Sequence, residues 1–267
     1  MNVGAIVFVV SLAAGSIAAA QEPAIKLYAA GSLRGAMSEV AHAFTAAGGA
    51  PVNATFGASG LLRERIEKGE AADVFASADI GNPQALALAG RARPPIVFTR
   101  NRLCAIVAPG VDATAETLLD RMLDPKVRLG TSTPKADPGG DYAWKLFERA
   151  GSIRPGAYAA LDAKALKLTG GPDSPPPPAN RSVYSALISE RKADIFLTYC
   201  TNAMVAVREV DGARMIAIGE PLSVGADYGL TTMKNAPPAA TRFVEFVLSA
   251  QGQAILERHG FAPVAER

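Results

Sequence analysis

The sequence predicts an α/β protein made of two similar halves, and three observations lead to this prediction. Short runs rich in β-branched and aromatic residues alternate with amphipathic helical patterns, which is typical of βαβ units around a parallel sheet. The alternation begins near residue 24 and restarts after the run NRLCAIVAP at 101–109. No disordered linker separates the halves, since the low-complexity stretch PDSPPPP at 172–178 reads as a stiff polyproline loop. We therefore expect two lobes joined by crossing strands, with a cleft between them.

The first half contains three predicted strands and two predicted helices. In chain order these are strand AIKLYAA (24–30), helix 32–46, strand VNATF (52–56), helix 61–68 and strand ADVFASA (72–78). The helix at 32–46 carries apolar residues three and four positions apart, namely Leu33, Met37, Val40, Ala41 and Phe44. This spacing predicts one buried face and leaves the start of the helix free of the core.

The second half repeats this order, and a last segment follows it. The predicted elements are strand VRLGTS (127–132), helix 142–150, strand ALKLTG (165–170), helix 183–192 and strand ADIFLTY (193–199). A further strand, ADYGLTTM at 226–233, precedes a helical pattern at 240–260. We expect this last segment to return to the first half and pack on it.

Small and hydroxyl-bearing residues stand at four predicted helix starts: GSL (31–33), GASG (57–60), PGGD (138–141) and NRS (180–182). In open α/β sheets such turns lie along the carboxyl edges of the strands, where ligands usually bind. The unpaired N–H groups and the positive end of each helix dipole favour an anion there, even without lysine. The alternative is that Ser32 and Ser59 are ordinary N-caps. Their repetition in matching places favours the anion site.

Composition argues against several other classes of function. The formal charge is +2 and the basic residues are scattered, which argues against a nucleic-acid partner. The only histidines are His42 and His259, and no Cys/His cluster has metal-ligand spacing, so neither a zinc site nor a cofactor is expected. A secreted serine hydrolase using Ser59 is the alternative from another class. The order G-A-S-G-L differs from a nucleophile elbow, and neither histidine has an evident acid partner.

Residues 1–20 have the pattern of a secretory signal peptide. The run MNVGAIVFVVSLAAGSIAAA is apolar and ends in small residues, with Ala18 and Ala20 at the positions of an A-x-A cleavage signal before Gln21. The start of the run lacks lysine and arginine, so an uncleaved membrane anchor is the alternative. No later segment is apolar over the length of a membrane span. We therefore expect a soluble protein exported to the periplasm.

Six segments together resemble the periplasmic molybdate-binding proteins of ABC transporters. They are YAAGSL (28–33), FGASGLLRERIEKGEAADVFASAD (56–79), NRLCAIVAP (101–109), GTSTPKADPGGDYAWKLFERAG (130–151), ADIFLTYCTNA (193–203) and GQAILERHGF (252–261). The resemblance implies a two-lobed type II periplasmic binding protein fold, in which each lobe is a mostly parallel sheet flanked by helices. It places lobe 1 at 24–103 plus 224–267 and lobe 2 at 104–223, with the ligand cleft between them.

The resemblance also implies a ligand, a partner and a set of site residues. The ligand is molybdate or tungstate, held by hydrogen bonds and without direct metal-ion ligands, and the partner is a membrane permease served by a monomeric receptor. Ser32 and Ser59 fall on the serines that hold the anion, Gly139 on the residue whose backbone N–H meets it, and Tyr199 on the site tyrosine. This chain departs from the family around Arg181, which either pairs with the anion or points to solvent.

The departure at Arg181 keeps other ligands open, because a cationic site also suits another oxyanion or a small organic anion. The sequence does not separate a transport receptor from a signalling receptor of the same fold. In the resembled fold, the strand with Cys104 lies antiparallel beside the strand that ends near Cys200. Exported proteins enter an oxidising compartment. A disulfide between these cysteines is therefore expected, with two separate buried thiols as the alternative.

Overall fold

The computed structural model describes residues 22–264, which form one mixed sheet with helices packed on it. The strands are β1 (Ile25–Ala30), β2 (Val52–Gly57), β3 (Val74–Ser77), β4 (Ile96–Val107), β5 (Leu129–Ser132), β6 (Leu166–Thr169), β7 (Ile195–Tyr199), β8 (Arg214–Ala217) and β9 (Gly225–Thr232). The predicted signal peptide at 1–20 lies outside the described residues.

Ten α-helices and one short 3-10 turn, Gly31–Leu33, accompany these strands in the described chain. The helices are α1 (Arg34–Ala46), α2 (Ser59–Glu67), α3 (Gly81–Leu88), α4 (Leu118–Leu123), α5 (Pro138–Ile153), α6 (Ala157–Lys164), α7 (Val183–Ser189), α8 (Cys200–Glu209), α9 (Pro238–Leu248) and α10 (Ala250–Arg258). Between residues 22 and 264, none of the helices has the length and hydrophobicity needed to cross a membrane.

The long strand β4 joins two halves of the sheet. The strand order is β2, β1, β3, β9, β4, β7, β5, β6, and β8 also pairs with β4. The first part of β4, up to Arg102, is antiparallel to β9, and the part from Leu103 onward is antiparallel to β7. The predicted division into lobes at 103/104 stays a prediction, and this change of partners falls one residue earlier, between Arg102 and Leu103.

The parallel strands bring the expected turns to common edges of the sheet. In the first half, β1 is parallel to both β2 and β3, and in the second half β5 is parallel to both β6 and β7. The carboxyl ends of parallel neighbours lie at the same edge. The turns after β1 and β2 are therefore neighbours, and a methyl group added to Gly31 would lie only 3.9 Å from the backbone oxygen of Gly57.

The last segment packs on the first half, as the sequence predicts. The ring of Phe44 on α1 lies 5.3 Å from the ring of Phe243 and 5.6 Å from that of Phe246, both on α9. The single helical pattern predicted at 240–260 is divided into α9 and α10, because Ser249 has extended backbone angles and its hydroxyl accepts from the N–H of Gly252. Serine at such a position ends one helix and caps the next.

The helix predicted at 142–150 begins earlier, at Pro138. Asp137 is its N-cap, with extended backbone angles and a carboxylate that accepts from the N–H of Gly139. Proline suits the first helical position because its fixed φ is helical. A backbone N–H at this position would have no partner within the helix, so the lack of one in proline has no cost. The turn PGGD is therefore the first turn of α5 and not a loop before it.

Cys104 and Cys200 are joined by a disulfide, with Cα atoms 4.8 Å apart. Cys104 lies on β4 opposite Thr198 of β7, and Cys200 begins α8 directly after Tyr199. The bridge thus links the crossing strand β4 to the end of β7. The backbone of Tyr199 is fixed between a strand pairing on one side and a covalent bond on the other.

Candidate anion-binding site

Ser59 is the first residue of α2 and is almost wholly buried, with 1% of its surface exposed. Its Oγ accepts a hydrogen bond of 3.1 Å from the backbone N–H of Ala78, at the end of β3. A hydroxyl that accepts in this way still has its own hydrogen to donate. Ser59 does not cap its own helix, since the N-cap of α2 is Ala58 and makes no side-chain hydrogen bond.

Ser32 lies in the 3-10 turn after β1 and is half-buried. Its Oγ is 2.9 Å from the hydroxyl oxygen of Tyr228 on β9. The N-cap of the turn, Ala30, makes no side-chain hydrogen bond, and neither does Leu33, the N-cap of α1. Neither serine therefore serves as an ordinary N-cap, and that alternative does not hold at these two positions.

Tyr199 reaches from the second half of the sheet to the first. Its hydroxyl donates to the backbone oxygen of Ala78 over 3.4 Å, a long hydrogen bond. The same Ala78 supplies its N–H to Ser59. The ring of Tyr199 packs edge-on against Tyr142 and Tyr228, at 6.1 and 5.4 Å. Burial raises the pKa of Tyr199 well above its usual value, so its hydroxyl keeps its hydrogen.

These contacts link three of the expected site residues. Ser59 and Tyr199 meet at the backbone of Ala78, and Tyr199 and Ser32 meet at the side chain of Tyr228. All carry neutral hydroxyl groups near the carboxyl ends of β1, β3 and β7 and the start of α2; the hydrogen of Ser59 is free to donate, and that of Tyr199 is held only by the long bond to Ala78. Such donors suit an anion held without a lysine or arginine.

Gly139 is at the start of α5 as expected, but its N–H is already engaged. It donates to Oδ1 of Asp137 over 2.9 Å. The family resemblance implies that this N–H meets the anion, whereas in the structure it donates to a carboxylate of the chain itself. A methyl group added to Gly139 would lie 3.6 Å from the ring of Tyr199, so Gly139 does border the same cluster.

Asp137 is half-buried, and its carboxyl group faces inward against Gly139 and Gly170. Burial raises its pKa to about 6, although hydrogen bonds from Gly139 and Ser132 act to lower it. The negative charges of Asp141 and Asp79 add to the rise. An anion at this helix start therefore meets a carboxyl group that is poised to take up a proton near neutral pH.

Arg181 is not brought to this cluster. It is exposed and its guanidinium pairs with Glu190 over 3.1 Å at the other end of α7. The helix start beside it is also occupied, because Ser182 caps α7 through the N–H of Tyr184 and its own N–H donates to Glu209. Of the two alternatives for Arg181, the structure has the one in which the side chain is exposed, since Glu190 pairs with its guanidinium and Ser182 and Glu209 satisfy the helix start beside it.

Sequence reasoning missed Asp137, Ala78 and Tyr228. An Asp-Pro pair before a helical pattern is a usual N-cap signal, so Asp137 could have been recognised as a cap. Ala78 contributes only its backbone, which no residue type indicates. Tyr228 reaches Ser32 because β9 inserts between β3 and β4, and this non-local pairing is not visible in the local pattern.

The cleft between the two sheet halves is closed by direct contact. The N–H of Gly60 in α2 donates to the backbone oxygen of Ala136, before α5, over 2.9 Å. A methyl group added to Gly60 would lie 2.3 Å from the backbone oxygen of Lys135. Real Cβ atoms do not come so close, so only glycine permits this approach.

Neither the hydrolase alternative nor a metal site gains support from the described residues. His259 does have an acid partner, Glu39, whose carboxylate lies 2.8 Å from Nε2, but this pair is on the surface of α1 and α10. The imidazole lies against Gly35 and not against Ser59. Within residues 22–264, no group of three or more His, Cys, Asp and Glu side chains is arranged to hold a metal ion.

Two comparisons with protein sequences cover most of the chain. PM1146 of Pasteurella multocida (strain Pm70), an uncharacterized protein, is 35% identical over 245 residues, which covers 90% of this chain and 98% of that protein. The molybdate-binding protein ModA of Mycobacterium tuberculosis H37Rv is 27% identical over 273 residues, covering 94% of this chain and 92% of that protein.

Three solved structures share the fold at low sequence identity. The periplasmic molybdate-binding protein of Azotobacter vinelandii matches with a TM-score of 0.71 at 17% identity, covering 89% of this chain and 98% of that chain. The sulfate-binding protein SubI of Mycobacterium tuberculosis matches with 0.73 at 18%, covering 91% and 88%. PEB3 bound to L-phospholactate matches with 0.69 at 16%, covering 89% and 99%. The likeness confirms the periplasmic binding protein fold.

The family itself follows from the sequence. The family model described as a bacterial extracellular solute-binding protein matches residues 25–262, which is nearly the whole described chain. Members of this family bind solutes, so the match favours binding over catalysis. By this match and by its 35% identity to PM1146, the chain belongs to the bacterial extracellular solute-binding proteins.

Proposed function

We propose that this protein is an exported receptor that binds a tetrahedral oxyanion, molybdate or tungstate, and delivers it to the membrane permease of an ABC importer. The observation that carries the proposal is the convergence of Ser32, Ser59 and Tyr199 through Ala78 and Tyr228. Family membership supports the receptor role, and the similarity to molybdate-binding ModA supports the choice of anion.

Hydrogen bonds from neutral donors suit a dianion in a closed site. Ser59 and Tyr199 are buried, so an anion beside them exchanges hydration water for fixed donors. Hydrogen bonds to a charged group contribute about 1.5 to 3 kcal/mol each, more than neutral ones. The contact between Gly60 and Ala136 supports a closed state from which water is excluded. Closure around the ligand is the usual movement of such receptors.

Selection among oxyanions then depends on cavity size. Molybdate and sulfate share a tetrahedral shape and a double negative charge, so a site that fits the larger anion holds sulfate with longer and weaker bonds. We expect molybdate and tungstate to bind at least about tenfold more tightly than sulfate, which corresponds to about 1.4 kcal/mol.

A second candidate ligand class is another oxyanion or a small organic anion that carries its own hydrogen-bond donor. The specific observation in its favour is Asp137, whose carboxylate takes the N–H of Gly139. A carboxylate beside the ligand repels a fully ionised dianion and accepts from a ligand O–H. The solved structures of similar fold include a sulfate-binding protein and one bound to L-phospholactate, so the fold accommodates both kinds of anion.

Calorimetric titration of the chain without residues 1–20 tests the proposal. Molybdate, tungstate, sulfate, phosphate and phospholactate are titrated at the same pH and salt concentration. Tighter binding of molybdate and tungstate supports the first candidate. Equal affinities for molybdate and sulfate, or tighter binding of phosphate or phospholactate, overturn it in favour of the second.

A further inference from the structure

Tyr228 lies at the centre of the cluster, between Tyr199 and Ser32. It is fully buried on β9, and its ring packs against Tyr199 and Phe261 at 5.4 Å each. Its hydroxyl has two neighbours within hydrogen-bond distance, Ser32 Oγ at 2.9 Å and Nδ2 of Asn101 at 3.4 Å. Either hydroxyl could be the donor in the contact between Tyr228 and Ser32, and the contact with Asn101 decides between them.

Asn101 determines the direction of its hydrogen bond with Tyr228. Its Oδ1 accepts from the backbone N–H of Arg102 over 2.9 Å, so the other end of the amide is the NH₂ group. That NH₂ group donates to Thr201 Oγ1 over 2.9 Å and faces the hydroxyl of Tyr228. An amide nitrogen has no lone pair to offer, so Tyr228 can only accept from Asn101.

The remaining hydrogen of Tyr228 then has one partner among the described residues. A buried hydroxyl hydrogen without an acceptor costs about 1 to 3 kcal/mol. Ser32 Oγ is the oxygen within reach, at 2.9 Å, so the Tyr228 hydroxyl donates to it. Burial raises the pKa of Tyr228 well above its usual value, and this keeps the hydrogen on the phenol.

We propose that Tyr228 orients the hydroxyl of Ser32, so that the hydrogen of Ser32 is free to donate to the bound anion. The inference rests on the proposed function, because it assigns Ser32 to the ligand. The chain of donors runs from Asn101 to Tyr228 to Ser32 and leaves the serine hydrogen as its free end. Ser59 reaches the same state by another route, since its Oγ accepts from the N–H of Ala78.

This arrangement has a consequence for specificity. A serine hydroxyl that rotates freely can donate to an ionised oxygen or accept from a protonated one. Tyr228 occupies one lone pair of Ser32 and keeps the serine hydrogen from pointing toward Tyr228, so this hydrogen is available to the ligand and Ser32 favours ligand oxygens that carry no hydrogen. Tyr228 is thus a positioning residue that tunes the site toward fully ionised anions and against ligands with their own O–H groups.

The test is a double-mutant cycle between Tyr228→Phe and Ser32→Ala, with molybdate as the probe. Tyr228→Phe keeps the ring contacts, and Asn101 keeps Thr201 as its acceptor, so the fold is expected to persist. We expect Tyr228→Phe to weaken molybdate binding about fivefold, the value of a typical hydrogen bond. In the Ser32→Ala background the same change is expected to have no effect, because the residue that Tyr228 orients is gone.

Tyr28→Phe is the matched control. Tyr28 is also a buried tyrosine of the first sheet half, but its hydroxyl bonds to Glu70 and not to the cluster. This variant is expected to bind molybdate as the unmodified protein does. If Tyr228→Phe does not fold, Asn101→Ala enters the same cycle, since it removes the donor that orders Tyr228.

The outcomes separate this inference from the proposed function. Should the unmodified protein bind none of molybdate, tungstate and sulfate, the proposed function fails and the inference fails with it. Should it bind molybdate while Tyr228→Phe has no effect, or has the same effect with and without Ser32, only the inference is overturned. A ratio of phosphate to molybdate affinity that rises in Tyr228→Phe and not in Tyr28→Phe would support the orienting role over a packing role.

Discussion

The backbone N–H of Gly60 donates to the backbone oxygen of Ala136 over 2.9 Å, and this hydrogen bond joins the first turn of α2 to the turn before α5. The two residues belong to different halves of the sheet. The helix start that carries Ser59 is therefore in direct contact with the segment that leads to Gly139. The width of the cleft depends on a residue without a side chain.

Replacement of Gly60 by alanine is expected to prevent full closure. The added methyl group would lie 2.3 Å from the oxygen of Lys135 and 2.7 Å from that of Ala136, both backbone atoms that cannot move alone. We expect a loss of anion affinity of at least about tenfold, seen mainly as faster release, because affinity changes within one site lie mostly in the dissociation rate. Stopped-flow kinetics with molybdate measures this.

Gly57→Ala is the control for that variant. Its methyl group would lie 3.4 Å from Leu62, which is ordinary contact, and the residue lies in the same turn. Near-normal binding in Gly57→Ala with weakened binding in Gly60→Ala would tie closure to the contact with Ala136. Equal affinities in the two variants would contradict it.

Ser59→Ala is expected to affect both binding and stability. The change removes a donor to the anion, which is worth about 1.5 to 3 kcal/mol of binding free energy. It also leaves the N–H of Ala78 without its acceptor, so the free energy of unfolding is expected to fall by about 1 to 3 kcal/mol. Calorimetric titration and urea unfolding measure the two effects separately.

Ser38→Ala serves as the comparison, since Ser38 is an exposed serine on α1. Surface substitutions of this kind usually change stability by less than about 0.5 kcal/mol. Unchanged binding in Ser59→Ala would remove Ser59 from the site.

Asp137 is expected to make stability depend on pH. Its folded pKa of about 6 is above the ordinary value of 3.8, so the unfolded chain releases this proton more readily than the folded one. The contribution of Asp137 to the free energy of unfolding is therefore fully present below about pH 3.8 and is lost as the pH rises through about 6. Urea unfolding between these values is expected to show a decline that Asp137→Asn lacks. Identical pH profiles for the two proteins would contradict the assignment.

The carboxyl group of Asp137 is expected to take up a proton when an anion binds. A dianion near Asp137 raises the pKa of the carboxyl further, through repulsion of its charged form. Titrations at pH 7 in buffers of different ionisation enthalpy are expected to give different apparent binding enthalpies, and Asp137→Asn is expected to give the same value in each. No buffer dependence in the unmodified protein would indicate that the anion lies away from the start of α5.

The disulfide between Cys104 and Cys200 is expected to stabilise the folded protein. It closes a loop with a sequence separation of 96, and bridges of this kind typically contribute about 2 to 4 kcal/mol. Reduction, or the double change Cys104→Ser and Cys200→Ser, is expected to lower the free energy of unfolding by that amount. Counting thiols on the denatured, unreduced chain is expected to find none, and two free thiols would contradict the bridge.

The sequence alone could predict those parts of the fold and site that depend on local pattern. Ser32 and Ser59 follow predicted strands of a parallel sheet, so their position at one edge of the sheet follows from topology. The burial of Met37, Val40 and Phe44 likewise follows from helical spacing, and the structure confirms it.

The rest depends on contacts that the local pattern does not contain. The N–H of Gly139 is engaged because Asp137, two residues earlier, adopts cap geometry and turns its carboxylate back. Arg181 is drawn to Glu190, one helix length away, and not to the cleft. Tyr228 meets Ser32, 196 residues away in sequence, only because β9 lies between β3 and β4. Such partners are fixed by tertiary packing.

The most direct test of the account is to locate the anion itself by anomalous X-ray scattering from crystals grown with tungstate. The account predicts one strong peak between Ser32 Oγ and Ser59 Oγ, with ligand oxygens within hydrogen-bond distance of both serines and of the Tyr199 hydroxyl. A peak elsewhere on the chain, or a cleft without a peak in crystals that hold tungstate at another position, would contradict it.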